Sequence, residues 1–244
     1  MIDKSFIDTI LEIAKPELVK VDGRTAFSSY GRITELLPPF QTAIEVPSLQ
    51  SIVDYLSKKA DGVNTADVII HVVDPCVVAV YSDVDPMWKR RHLYITANHK
   101  YPVFKFGQWF GPEEFVINVQ SQFVQDENSA NILRIVGNLA DENVTTYADD
   151  GVTQGVNQRT GVARVGATTV PNPITLRPFR TFSEVKQPAS SFVFRLRPGR
   201  SSGDLPSAAL FEADGWDWKV EARRLIKDWL RSQLLPVGDA LIIG

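Results

Sequence analysis

One stretch constrains the fold more than any other. From Ser190 to Arg197 the chain reads Ser-Ser-Phe-Val-Phe-Arg-Leu-Arg. Phe192, Phe194 and Leu196 fall on one side, and Val193, Arg195 and Arg197 on the other. A two-residue period with aromatic and branched residues predicts a strand with one buried face. Pro198-Gly199 stops it and Ser201 to Asp204 make a turn. Ala208 to Phe211 reads as a returning strand. A helix then opens near Asp214-Gly215, with Trp218, Ala222, Leu225, Ile226 and Trp229 on one face. Asp214 or Asp217 is the expected cap, and Pro236 and Gly238 close the helix. Asp239 to Gly244 is a last short strand.

The strand half of this region is rich in arginine. Between Arg159 and Arg200 there are eight basic residues and one acid, Glu184, in a chain whose formal net charge is −3. Such asymmetry points to an anionic partner. From Met1 to Asp150 the balance reverses, with 13 basic and 21 acidic residues. That is not the profile of a protein that coats DNA generally. At 244 residues with 44% hydrophobic content, the chain is long enough to build a core without staples. Its single Cys76 excludes an intramolecular disulfide and sits in an apolar run, which reads as a buried, inert thiol. Met1-Ile-Asp-Lys4 is not a signal peptide, and no apolar run is long enough to span a bilayer. A cytoplasmic location is the expectation.

Taken in order, Ser5 to Lys15 predicts a helix and Leu18 to Gly23 a strand with a turn. Gly31 to Pro39 reads as irregular. Leu49, Ile52, Val53 and Leu56 form the face of a helix capped by Ser48. Two strands, Val68 to Val73 and Cys76 to Tyr81, turn at Asp74-Pro75. His92 to Thr96 is a third, and Pro102 to Phe106 a fourth or an extended approach to a helix. Gly111-Pro112-Glu113-Glu114 has the composition of a helix start, and Ser129 to Ala140 predicts another helix. Tyr147 to Pro173 changes to Gly, Thr, Val, Gln and Asn, which suggests a long hairpin or a mobile loop serving as an arm or lid. The fold class expected is α+β, a mixed or antiparallel sheet with helices packed on one side. Its parts are an N-terminal α/β half (1–146), the arm (147–173) and a C-terminal strand–helix half (174–244), in two units or one continuous domain.

This order of elements resembles the YfdQ-like family of phage and prophage proteins, named for a gene in a cryptic prophage. The resemblance lies in the helix at 49–56, the strands across 68–96, the aromatic approach at 102–109 and Pro112-Glu113-Glu114 with its paired helices. Leu176-Arg-Pro-Phe179, the Phe194 to Arg197 strand and the terminal helix complete it. It covers roughly Pro47 to Leu235. It implies phage origin and action inside an infected bacterium, and it carries over no catalytic residues.

Catalytic chemistry finds no support in motifs. His71, His92 and His99 lack metal-ligand spacing, there is no nucleophile elbow and there is no phosphate loop. No cofactor and no metal are expected. Anion binding has the best case. Arg177 and Arg180 flank Phe179, and Arg195 and Arg197 share a strand face, so pairing of these strands would bring four guanidinium groups together for a phosphate. The same arginines would equally make a solvated face, paired with Glu184, Glu212 or Asp217. A second basic cluster is Trp88, Lys89, Arg90 and Arg91, which reads as a nucleic-acid or subunit contact or as a loop of mixed charge. Three functions follow. The first is a non-catalytic, homo-oligomeric phage accessory protein that sequesters an anionic ligand such as a nucleotide immune signal. The second is a single-strand nucleic-acid-binding accessory of replication or recombination. The third is a structural or assembly protein.

Overall fold

The computed structural model describes residues 3–29, 32–37, 39, 41–141, 144–149, 154–160, 163–170, 172–199 and 205–244, without the side chains of residues 14 and 139–171. In chain order, α1 (Lys4–Ala14) leads to β1 (Glu17–Val21), β2 (Arg24–Ser29) and β3 (Arg32–Glu35). Then come β4 (Ile44–Val46), α2 (Leu49–Ser57), β5 (Val68–Asp74), β6 (Val77–Ser82) and β7 (Leu93–Asn98). Helices α3 (Pro112–Gln122) and α4 (Glu127–Asp141) precede β8 (Val144–Asp149), β9 (Gln154–Thr160) and β10 (Ala163–Val170). The chain ends with β11 (Ile174–Leu176), β12 (Ser190–Arg197), β13 (Ser207–Glu212), α5 (Asp217–Leu234) and β14 (Leu241–Ile243). The fold is α+β.

Local chemistry explains several of these elements. Asp22 and Gly23 both take positive φ, 47° and 80°, and link Val21 directly to its partner Arg24. That two-residue turn suits the twist of a tight hairpin, and glycine adopts it without strain. Ser48 caps α2 by accepting from the Ser51 amide at 3.3 Å. Pro112 stands in the first turn of α3 with Glu113 and Glu114 beside it, where an absent amide and negative charge both suit the helix. Residues 32–35, expected to be irregular, form β3, because their pairing with β2 runs from Arg32 opposite Ser29 to Glu35 opposite Ala26. The segment 102–106 forms no strand; the chain turns there, with the Phe106 amide donating to Phe104 O at 3.2 Å.

Two cores result. The five-stranded sheet has the order β14-β5-β6-β7-β4, antiparallel inside and parallel at both edges. Helices α2 and α5 cover it, and Phe182 and Val185 belong to the same cluster. On α5 the buried residues are Trp218, Ala222, Ile226, Leu230 and Leu234, a stripe four residues apart along one helical face. The second core joins Phe104, Phe110, α3 and α4 to the inner face of the β11-β12-β13 sheet. Both cores therefore draw on residues from either side of 147–173. That segment, read as a hairpin or loop, is largely strand: β8, β9 and β10 form an antiparallel meander. Any role of its side chains lies outside the described residues.

A candidate ligand cleft beside Arg180

Strand alternation decides where the arginines go. Along β12 burial alternates without a break: Ser190, Phe192, Phe194 and Leu196 are buried, and Val193, Arg195 and Arg197 half-buried. Glu212 stands opposite Phe192 across the β12–β13 ladder, so its side chain shares the inner face. Arg180 reaches that inner face from the loop after β11. Its Nη1 donates to Glu212 Oε1 at 2.6 Å and its Nη2 to Ser190 Oγ. Asp214 Oδ2 lies 3.9 Å from Nη2, and the Trp218 ring centre is 4.0 Å from Cζ. Arg195 and Arg197 project from the opposite face, where Arg197 sits 4.5 Å from the Trp109 ring. Arg177 pairs with Asp126 at 3.4 Å. The expected convergence of four guanidinium groups does not form. Arg180 and the strand arginines lie on opposite sides of one sheet, and Arg177 is drawn to Asp126, the residue just before α4.

The loop that carries Arg180 is pinned at several points. The Phe179 amide donates to Gln122 O, and the Val124 amide to Arg177 O, both at 2.8 Å. Buried Gln187 accepts from the amides of Arg180 and Thr181 through Oε1 and donates through Nε2 to Thr181 O and Phe182 O. Thr181 Oγ1 donates to Pro75 O and Cys76 Sγ to Arg180 O. Such local bonds satisfy the polar backbone of a buried loop.

Beside this loop lies a cleft of about 210 Å³, walled by Tyr101, Phe104, Phe106, Phe179, Trp216 and Trp218, with Gln122, Arg180, Glu212 and Lys219 among its polar groups. Trp216 is 64% exposed and holds a left-handed backbone, φ 73°, so it stands at the rim. Lys219 Nζ lies 4.2 Å from its ring centre. Among the described residues, Gln122 Oε1, Arg180 Nε and Trp218 Nε1 of the cleft's lining, and Asp214 Oδ2 beside Arg180, are buried without a hydrogen-bond partner. Leaving such an atom unsatisfied costs about 1–3 kcal/mol, and most buried polar groups in folded proteins are paired.

The electrostatics are balanced. Burial pulls the Arg180 guanidinium down from its ordinary range, against Glu212 and Asp214, which hold its charge. It remains a cation, as arginine does in proteins. Burial pushes the Tyr101 phenol up, so it is a neutral donor. The Cys76 thiol is pushed up to about 12, first by burial and then by Asp74, which makes it inert. With Arg180 offset by Glu212, Lys219 is the cation at the rim.

The second cluster is organised by acids. Asp85 Oδ1 accepts from the Met87 and Trp88 amides at 2.8 and 2.6 Å. Lys89 takes positive φ, 52°, and Arg90 O closes the turn by accepting from the Asp85 amide at 2.9 Å. Arg91 donates to Ser82 O and lies 3.9 Å from Asp83. The turn is thus a loop of mixed charge, with Arg24 of β2 stacked 5.6 Å from Trp88.

Of the residues that line the cleft, the sequence singles out Arg180 and Phe179. It does not single out Gln122, Trp216, Lys219 or the pinning Gln187. The one signal available was aromatic density, in Tyr101 to Phe110 and in Trp216 with Trp218. No family model, curated protein or solved structure matches this chain. No helix among the described residues is long and apolar enough to cross a membrane.

Proposed function

We propose that this chain is a non-catalytic binding protein whose cleft takes one planar, hydrogen-bonding ring of an anionic ligand, a nucleotide above all. The observation that carries this reading is the aromatic-walled cleft itself, with Tyr101, Gln122, Arg180 and Lys219 among its lining residues. A purine or pyrimidine offers a flat face for the aromatic walls and an edge of donors and acceptors for the polar ends of Tyr101 and Gln122. Stacking on aromatics is worth about 1–3 kcal/mol per base. Lys219, at the rim, would hold the phosphate as a point charge. Size supports one ring per cleft: about 210 Å³ is below the roughly 300–1,000 Å³ of sites that enclose a whole drug-sized ligand. Phosphates would therefore stay near the solvent.

In this reading the protein acts by removing free ligand, which needs affinity and abundance and no turnover. With the resemblance to phage accessory proteins, the role proposed is sequestration of a nucleotide immune signal, by a homo-oligomer in the cytoplasm of an infected bacterium. A thermal-shift panel of mononucleotides and cyclic nucleotides tests it. At a hundredfold excess over Kd, binding adds about 2.7 kcal/mol, which raises the Tm of a chain of this size by roughly 5–10 °C. No shift with any nucleotide at millimolar concentration, together with salt-sensitive binding of oligo-dT, would replace this reading with the single-strand accessory.

A further inference from the structure

The N-terminal unit of α1 and the β1-β2-β3 sheet has almost no core of its own. Among the described residues up to Leu37, Ala26 is the one buried side chain. An 11-residue helix is shorter than the roughly 12–15 residues at which an isolated helix becomes even marginal. A small sheet needs a covered apolar face to be stable. Yet Phe6, Ile7, Ile10, Leu11 and Ile13 of α1 are 45–65% exposed, along one broad stripe of the helix. On the sheet, Leu18 and Phe27 stand opposite each other on one face and are 65% and 37% exposed. Leu36, two residues beyond Thr34, continues that face at 38%.

At about 150–200 Å² per large side chain, the α1 stripe exposes on the order of 500 Å² of apolar surface and the sheet face on the order of 250 Å² more. The largest apolar patch of a typical monomer is roughly 300–600 Å², and a standard interface takes about 800 Å² from each partner. We propose that α1 and the exposed face of β1-β2-β3 are a self-association surface, covered by a second copy of this chain. The charges favour that occupant. In and around α1, Lys4 and Lys15 are set against Asp3, Asp8 and Glu12. A nucleic acid or an anionic lipid surface selects a basic face, and this helix has none. Mixed signs around an apolar stripe suit an isologous contact, in which each copy meets the same surface of the other.

The inference rests on the oligomeric part of the proposed function and is independent of the cleft. Sedimentation velocity on the full chain should give a dimer or a higher closed oligomer at micromolar concentration. The Ile10→Glu/Leu11→Glu variant should dissociate at least about a hundredfold more readily, since each chain then sets two charges against apolar surface. Val220→Glu, also at an exposed apolar position, 66%, but on α5, should leave the mass unchanged. The dissociated variant should keep its nucleotide-induced thermal shift if the cleft reading holds, so the two proposals fail separately. A monomeric wild-type chain overturns the inference, as does a double variant with unchanged mass. Wild-type chain that stays monomeric but co-floats with neutral or anionic vesicles would reassign the surface to a lipid bilayer.

Discussion

Replacing Arg180 with methionine isolates what the buried guanidinium does. The side chain is 4% exposed, and Glu212, Ser190, Asp214 and Trp218 all contact it. Glu212 is 30% exposed and would turn partly to solvent, which softens its loss. Asp214 is 9% exposed and has no such escape, so its carboxylate would lose its nearest counter-charge. Breaking a buried pair by removing one partner costs about 3–5 kcal/mol. The desolvated stacking on Trp218 adds up to about 2 kcal/mol, of which methionine recovers part by filling the space. The expected loss is about 3–5 kcal/mol, a large share of the roughly 5–15 kcal/mol that holds a domain together. Glu212→Gln, which keeps an acceptor but removes the charge, should cost about 1–2 kcal/mol. Urea unfolding followed by circular dichroism and tryptophan emission measures both, and the double variant gives the coupling. A loss below about 1 kcal/mol for Arg180→Met would refute the reasoning, because the guanidinium would then be dispensable to its buried partners.

Further outcomes follow from the same geometry. Cys76 should resist thiol reagents at pH 8 in the folded chain and react on unfolding, as read by Ellman absorbance. Because folding raises its pKa to about 12, its neutral form is favoured in the fold. That contribution is full below the unfolded value near 8.5 and is lost as pH rises toward 12, so urea midpoints should fall across that window. Ser48→Ala removes the cap of α2 and should cost about 1 kcal/mol in unfolding free energy. Arg197→Ala should cost about 0.5–1 kcal/mol through its lost contact with Trp109, and calorimetric titration should find ligand affinity unaltered, since Arg197 faces away from the cleft.

How much of this was legible depended on the range of the interaction. The limits of β12 follow from its alternation alone, and Asp22-Gly23, Ser48 and Gly111-Pro112 announce a turn and two helix starts through chemistry confined to a few residues. The start of α5 was misplaced. Two aspartates, Asp214 and Asp217, compete for the cap, whereas Trp216 occupies it in a left-handed conformation, with Asp214 Oδ1 receiving the Trp216 amide. The shared face of Arg195 and Arg197 was readable from the period of two. The side of the sheet that Arg180 would reach was not, because a loop pinned by Gln187 and Pro75 sets it. The cleft was hidden for the same reason: Gln122, Arg180 and Trp218 come from three distant segments, and only the packing of α3, the loop after β11 and α5 brings them together.

The central claim, that this cleft binds a nucleotide's ring, is tested most directly by isothermal titration of the wild-type chain beside Gln122→Leu and Lys219→Ala. The account predicts saturable binding to wild type. Lys219→Ala should weaken it about tenfold, near 1.4 kcal/mol, through the phosphate. Gln122→Leu should weaken it by a similar factor through the ring edge. Binding that both variants leave untouched would contradict the account and move the ligand elsewhere on the molecule.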